Sequence, residues 1–243
     1  MFFGLFWGDY SLIVLLPVMI FTIIVQFRVK STFERFDRVP TVRRISGAEA
    51  ARRILDKNGL YNVRVERVQG HLTDHYDPRA NVIRLSEATY NNTSVAALGV
   101  AAHEAGHAVQ HATGYLPIKL RAAIIPITQF GSRMAMPIFL IGFLLTSLAY
   151  VDSYVGGIIM LVGIVLFSFS AIFQLVTLPT EFNASSRALK TLKENEILQG
   201  DEVIGARRVL NAAAMTYVAA LASSLAYILR FLLLASSASR RRH

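Results

Sequence analysis

Two histidines and a glutamate form the part of the sequence best suited to chemistry, in the pattern His103-Glu104-Ala105-Gly106-His107. Residues four positions apart share one face of an α-helix, so both imidazoles can reach one metal ion and the glutamate can touch an activated water beside it. Zinc hydrolases use this arrangement. A chain of this composition contains roughly 0.005 copies of the pattern by chance. This disfavours the alternative, a buried helix on which two histidines satisfy each other, and we predict one zinc ion with Glu104 as general base.

The segment that carries the motif must be helical for the two imidazoles to converge on one ion. Residues 94–112 form an apolar run, and alanine, valine and leucine dominate positions 95–101. Such residues favour a helix ahead of the histidine pair. Thr93 is the predicted N-cap, because its hydroxyl can accept from a free backbone N–H in the first turn.

The composition indicates a membrane protein. The chain of 243 residues is 53% hydrophobic and 17% charged, with a mean hydropathy of +0.44, a combination that soluble domains of this length seldom show. Three stretches are long enough to cross a bilayer, at residues 10–27, 134–150 and 155–178. The first lacks the cleavage pattern of a signal peptide, so we expect a retained anchor. A fourth stretch, residues 212–234, contains Arg230 and could span the bilayer or lie in its interface.

The chain has a net charge of +9, and its basic residues are concentrated beside the apolar stretches. The positive-inside rule and anionic lipid account for this distribution, and no basic motif interleaved with aromatic residues points to nucleic acid. A basic cluster directly after the first stretch assigns that side of the membrane to the cytoplasm. It comprises Arg28, Lys30, Arg35, Arg38, Arg43 and Arg44.

A third protein ligand is needed, because catalytic zinc binds three side chains and keeps one position open. The chain has no cysteine, so this ligand must be an imidazole or a carboxylate. His111 would lie roughly 6 Å beyond His107 along the helix axis, a neighbour of the ion rather than a ligand. Asp152 falls on the opposite side of the membrane, whereas two crossings bring Glu181 back to the catalytic side. Four later acidic residues remain as substitutes: Glu194, Glu196, Asp201 and Glu202.

Five regions follow from these assignments. We expect a transmembrane anchor at residues 1–27 and a cytoplasmic metallopeptidase domain with the histidine helix at 28–133. A transmembrane hairpin at 134–178 leads to cytoplasmic helices with the third ligand at 179–211. A transmembrane or interfacial helix and a basic tail, residues 212–243, end the chain.

Local signals divide the regions on the cytoplasmic side further. Ser46 to Glu49 form a capping box for a helix that ends near Asn58-Gly59, and strands are predicted at residues 63–65 and 81–85. Residues 116–133 are mixed in character and are expected to form an interfacial connection. Pro179-Thr180 is predicted to end the third apolar stretch and to cap a new helix beginning near Glu181.

Three segments carry a resemblance to a known family: Gly70 to Arg79, Ala101 to His111, and Leu178 to Ser185. On these residues the chain resembles the YugP-like family of bacterial membrane-bound neutral zinc metallopeptidases, over nearly its whole length. The resemblance implies an α-helical integral membrane protein of α+β character, with a small zincin-like domain and a short sheet. It also implies a multi-pass protein of the bacterial cell membrane, with the zinc site on the cytoplasmic side.

More distantly, the chain resembles the HtpX-like and CAAX-prenyl proteases, in which an aspartate follows the ligand glutamate by four residues. Ser185 occupies that position here, so Ser185 and Asn183 are candidates to support the metal ligands. Related enzymes also place an edge strand before the zinc helix, which makes His75 and Tyr76, with the neighbouring His71, candidates for substrate or oxyanion contacts. Two alternatives stay open for this stretch: a turn whose side chains bond the local backbone, and a second metal ion bound by its ligand-type side chains.

The expected function is zinc-dependent cleavage of a protein or peptide substrate at the lipid bilayer. The metal-activated water attacks the peptide carbonyl, and Glu104 takes its proton and passes it to the leaving amine. Two alternatives stay open: a site-2-type intramembrane metalloprotease, and a catalytically idle scaffold that uses zinc to hold its domain together. Glu104 counts against the scaffold, because a purely structural metal site has no need of a base beside an open position.

Overall fold

The computed structural model describes residues 10–148 and 152–240, and these are mostly helical. A 3₁₀ turn at Tyr10–Val14 precedes seven α-helices among the described residues: α1 Leu15–Asp37, α2 Gly47–Lys57, α3 Glu87–Tyr90, α4 Val95–Ala112, α5 Leu116–Ser147, α6 Ser153–Glu194 and α7 Asp201–Arg240. Three strands complete the described part of the chain: β1 Arg64–Arg67, β2 His75–Asp77 and β3 Val82–Leu85.

The chain forms two compact units. The helical unit comprises Met1–Ile24, Arg121–Val176 and Tyr217–His243. The mixed unit comprises Val25–Leu120 and Thr177–Thr216, and it holds all three strands together with α2, α3 and α4. The four long helices contribute residues to both units.

Among the described residues, four helices are long and apolar enough to cross a membrane, at Ser11–Asp37, Leu116–Ser147, Ser153–Glu194 and Asp201–Ala238. The prediction of several candidate spans is confirmed. The fourth apolar stretch, residues 212–234, lies within the last of these helices. The predicted second span extends to Tyr150, whose last two positions lie outside the described residues, as does most of the basic tail.

Within the helical unit, α5 and α6 approach so closely that glycine is required. A methyl group on Gly163 would lie 2.8 Å from the carbonyl oxygen of Ala135. Phe139 of α5 then stacks on Phe231 of α7, with ring centroids 4.6 Å apart. Because lipid is as apolar as these side chains, close packing of this kind is what holds such helices together.

The mixed unit is built on a buried layer between α2, α4 and the sheet. The sheet has the order β1-β3-β2, with β1 parallel and β2 antiparallel to the central β3. Ile83 of β3 is fully buried and pairs with Val65 on one side and Tyr76 on the other. Among the described strands β2 pairs with β3 alone, so it is the edge strand that lies beside α4.

Capping explains where the two inner helices begin. Ser46 accepts from the backbone N–H of Glu49 at 3.2 Å, and α2 ends at the cap Asn58, followed by Gly59 with φ 71°. These boundaries are as predicted. For α4 the predicted N-cap was wrong by one residue, because Ser94, not Thr93, accepts from the N–H of Ala97 at 3.1 Å.

Two predicted breaks in the long helices are absent from the described residues. Residues 116–133, expected to be an interfacial connection, are the first half of α5, which continues through Pro126. Pro179-Thr180 does not end a helix either, because α6 runs unbroken from Ser153 to Glu194. Proline removes one backbone hydrogen bond from a helix, and helices in lipid tolerate this where neighbouring groups compensate.

Candidate metal centre

The candidate centre begins on α4, where the four-residue spacing sets two imidazoles side by side. The rings of His103 and His107 meet edge to face, with centroids 4.6 Å apart. His107 is buried, and so is Glu104 between them in sequence. One helical face therefore presents two nitrogen donors, with a carboxylate next to them.

A close approach of α4 and α6 brings the third donor to this face. A methyl group on Gly106 would lie only 2.8 Å from the carbonyl oxygen of Ala184, so the two backbones could not approach in this way with a larger residue. Ala184 is fully buried at the contact. The contact lies one turn or less from Glu181 on α6 and His107 on α4, and it sets the separation of the donors.

The carboxylate of Glu181 lies beside both imidazoles. Its Oε2 atom is 3.2 Å from Nε2 of His103 and 3.6 Å from Nε2 of His107. In a tetrahedral site with bonds of 2.0–2.1 Å, neighbouring ligand atoms stand about 3.3 Å apart. The two distances bracket this value, and one donor atom from each of the three residues lies within 4.8 Å of the others. Two imidazoles and a carboxylate with this spacing fit zinc.

The outer nitrogens of both imidazoles are held by neutral side chains. Nδ1 of His103 is 3.1 Å from the hydroxyl of Ser185, and Nδ1 of His107 is 3.0 Å from Oε1 of Gln110. Gln110 is fully buried, and its Nε2 donates to the carbonyl of Thr180 at 2.8 Å. Because that carbonyl can only accept, the amide oxygen faces His107, whose Nδ1 must donate. The free lone pair is then on Nε2, which faces Glu181.

The electrostatics of the pocket favour a cation. Burial disfavours the charged form of His107, but the hydrogen bond to Glu181 and the charges of Glu104 and Glu181 outweigh it, so the pKa of His107 is raised. The same two carboxylates attract a metal ion as they attract a proton. Metal and proton therefore compete for this nitrogen.

The ligand-rich stretch from His71 to Asp77 mostly bonds its own surroundings. Nδ1 of His75 lies 2.8 Å from the carbonyl of Thr73, and Asp77 accepts from the N–H groups of Arg79 and Ala80. These contacts match the local-turn alternative. They also account for the lowered pKa of Asp77, whose main cause is the hydrogen bond from Ala80.

Three of the predicted site residues, His71, Tyr76 and His111, make ring contacts in or beside this stretch. His71 is exposed and meets the ring of Phe33 at 5.7 Å. Tyr76 packs edge to face on His111 at 6.2 Å, and its hydroxyl lies 3.4 Å from Asn81. Burial and the charge of Asp77 raise the pKa of Tyr76, so its phenol stays a proton donor near neutral pH.

The remaining predicted residues have other partners. His111 is exposed and stands apart from the three converging donors. Asn183 accepts from Gln110 and from Nε of Arg187, and so supports the centre indirectly. Of the substitute acids, three bind elsewhere on the mixed unit: Glu194 to Lys190, Glu196 to Arg43, and Glu202 to the N–H of Val42.

The sequence interpretation missed Gln110 and Gly106. Gln110 follows His107 by three residues, which places it on the same helical face, and a buried amide there was the available signal. Gly106 stands at one of the variable positions of the motif, and its contact with Ala184 has no signature in sequence.

Comparisons with known proteins agree with this geometry. The family model described as "Putative neutral zinc metallopeptidase" matches residues 11–236. The chain is 48% identical over 209 residues to the "Putative membrane protease YugP" of Bacillus subtilis (strain 168), and the alignment covers 86% of this chain and 89% of that protein. A search of solved structures found no match.

Proposed function

The chain belongs to the neutral zinc metallopeptidase family, and from this premise we propose that it is a membrane-embedded, zinc-dependent endopeptidase. The observation that carries the proposal is the convergence of Glu181 with His103 and His107 at 3.2 and 3.6 Å, with Glu104 buried on the same helix. His103, His107 and Glu181 would hold one zinc ion. When bound, zinc acidifies a water molecule and polarises a carbonyl group.

The chain's own groups supply the proton transfers and the positioning. Glu104 accepts the proton of the attacking water and returns it to the leaving amine, so it serves first as base and then as acid. Ser185 and Gln110 fix the orientation of the two imidazoles through their outer nitrogens. Because the carboxylates of Glu104 and Glu181 are buried, little bulk water competes for the hydrogen bonds that they form.

The edge strand β2 offers a place for the substrate backbone. Its outer edge has no strand partner among the described residues, and β2 contacts α4, the helix with the metal ligands. An extended peptide can add to such an edge by main-chain hydrogen bonds. We propose that the substrate binds there and that Tyr76, kept protonated, is the residue of this stretch that donates to it. His71 and His75, which are both exposed, would then make only peripheral contacts with the substrate.

We further propose that the metal centre lies on the cytoplasmic side of the bacterial cell membrane. The basic residues that follow the first apolar stretch support this through the positive-inside rule. Within the helical unit, Nε of Arg230 donates to the hydroxyl of Ser11 at 3.4 Å, which joins the start of the first span to the end of the fourth. The start of the first span and the end of the fourth would then both lie on the outer side of the membrane. A reporter fused after residue 243 should be active only outside the cytoplasm.

Glu104→Gln tests the proposed activity, with Glu87→Gln as a matched control. Glu87 is an exposed carboxylate of the mixed unit, paired with Arg67 and outside the group of converging donors, so its variant loses the same charge without altering that group. The full-length protein in detergent is assayed for bound zinc and for cleavage of an unfolded protein. We expect Glu104→Gln to keep zinc and lose cleavage by at least about 100-fold. Cleavage by Glu104→Gln would contradict the assigned base, and zinc binding without any turnover in the wild type would identify an idle scaffold.

A further inference from the structure

A second feature of the mixed unit is a cleft of about 420 Å³ between α6 and α7. Three cationic side chains line it, Lys190 and Lys193 from α6 and Arg207 from α7. Ser186 and Asn211 add neutral hydrogen-bonding groups, and none of the described residues that line the cleft is acidic. The lining is therefore suited to an anion that can accept several hydrogen bonds.

Two of these cations have no partner in the part of the chain that the structure describes. Lys190 pairs with the exposed Glu194 at 3.8 Å, whereas the side chains of Lys193 and Arg207 make no ion pair or hydrogen bond with any residue that the structure describes. Two unpaired like charges facing one cleft repel each other, and an anion between them relieves that repulsion. The cleft thus has charge complementarity to an anionic ligand, and no described residue of the chain fills that role.

The cleft on the other face of α6 shows that this is not a general property of the helix. It has about the same volume, 410 Å³, but Glu194 contributes to its lining. Its arginine, Arg187, is already bound to Asn183 and stacks over the ring of Tyr115. Of these two clefts, the one with Lys193 and Arg207 is lined by cations that have no partner among the described residues.

The cationic cleft adjoins the metal centre. Ser185, whose hydroxyl contacts His103, is part of its lining, and so is Phe182, the residue after Glu181. From Glu181, the helical rise of 1.5 Å per residue carries Lys190 about 14 Å and Lys193 about 18 Å along α6. An extended peptide covers these distances in about four to six residues.

Distance favours a peptide over a lipid headgroup as the occupant. Lys193 follows the apolar stretch that ends at Leu178 by about 22 Å of helix. The headgroup layer is only about 5 to 8 Å thick on each side of the hydrocarbon core. Arg207 precedes the fourth apolar stretch by only about 7.5 Å of helix, so a lipid phosphate could reach Arg207 but would have to leave the headgroup layer to reach Lys193. A substrate chain held at the metal centre can reach both cations.

We propose that the cleft binds an acidic stretch of the polypeptide substrate, about four to six residues from the bond that is cleaved. The proposal rests on the proposed peptidase function and adds a substrate class to it. Carboxylates of the substrate pair with Lys193 and Arg207 and lower the free energy of the bound state. Substrates with aspartate or glutamate at this spacing are then preferred over their amide counterparts.

The test uses two labelled peptides that differ only in having a Glu or a Gln block at that spacing, with the block placed on either side of the cleavage site. Binding to full-length Glu104→Gln protein is measured by fluorescence anisotropy, and cleavage by the wild type gives kcat/KM. We expect the double variant Lys193→Gln/Arg207→Gln to weaken the Glu peptide about tenfold, roughly threefold for each cation. The Gln peptide should be unaffected, and 1 M salt should abolish the difference.

The matched control is Arg28→Gln/Arg208→Gln, which removes two exposed cations of the same unit that do not line the cleft. An equal loss in this control, or an equal loss for the Gln peptide, would overturn the proposal. If the double variant in detergent loses binding of added phosphatidylglycerol while it binds both peptides as well as the parent protein does, the cleft is a lipid site instead. If the wild type cleaves no peptide, the peptidase function fails, and the anisotropy measurement still decides whether the cleft selects acidic chains.

Discussion

Replacing Gly106 by alanine tests whether the contact between α4 and α6 sets the geometry of the metal centre. The new methyl group would stand 2.8 Å from the carbonyl oxygen of Ala184, and 3.4 Å from the carbonyl carbon of the same residue. The oxygen contact is some tenths of an ångström shorter than ordinary packing allows. Both helices are buried here, so the strain must be relieved by moving α6 away from α4.

The displacement acts directly on the ligand atoms. Separations of 3.2 and 3.6 Å between Glu181 and the two imidazoles bracket the edge of a tetrahedral zinc site, about 3.3 Å. A shift of about 0.5 Å would lengthen them to about 3.7 and 4.1 Å, so that both exceed that edge. We expect zinc affinity to fall at least tenfold. The net destabilisation of the fold should be about 0–2 kcal/mol, because overpacking costs about 1–3 kcal/mol while glycine to alanine gains up to about 1 kcal/mol of helix propensity.

Gly99→Ala provides the matched control on the same helix. There the new methyl group would lie 3.5 Å from the side chain of Ala206, an ordinary van der Waals contact. This variant should be as stable as the wild type or more stable, with unchanged zinc affinity. The two substitutions are chemically identical, so only the local contact distinguishes them.

Zinc affinity is measured by competition with a chromogenic chelator on the full-length protein in detergent, and folding by thermal unfolding in excess chelator. A Gly106→Ala protein that binds zinc as tightly as Gly99→Ala would show that α6 accommodates the methyl group without moving Glu181. The proposed link between the helix contact and the metal centre would then be wrong.

Three further predictions concern the metal ligands and their supports. Gln110→Met removes the group that fixes the His107 tautomer and should weaken zinc binding about 10- to 100-fold, whereas Asn92→Leu, which also removes an amide with three hydrogen bonds, should lower the unfolding temperature and leave zinc affinity unchanged. Ser185→Ala removes one hydrogen bond and should weaken zinc binding less than Gln110→Met, as measured in the same competition assay; an equal or larger loss would contradict the order of the two supports. Zinc at 100 times its Kd should stabilise the protein by about 2.7 kcal/mol, or roughly 5 to 10 °C in Tm, and chelator should reverse this; a Tm independent of zinc would contradict binding to the folded state.

Sequence reasoning was strongest where physics acts locally. Four-residue spacing puts His103 and His107 on one helical face whatever surrounds them, and the capping box at Ser46 needs only its own first turn. Long apolar stretches signal spans because a bilayer demands length and composition rather than specific partners. Even Glu181 could be singled out, because the chain contains few acidic residues and the order of the spans limits which of them can return to the catalytic side.

Tertiary structure decided the features that depend on neighbours distant in sequence. Gly106 matters only because Ala184 faces it, and Gln110 matters only because the Thr180 carbonyl turns its amide toward His107. Continuation of α6 through Pro179 likewise depends on surroundings that local propensity does not contain. The free charges of the cleft between α6 and α7 were also invisible in sequence, since whether a lysine is paired depends on which side chains the fold brings within reach. Local propensities act between near neighbours in the chain, while a site is a set of distances between elements, and only packing determines those.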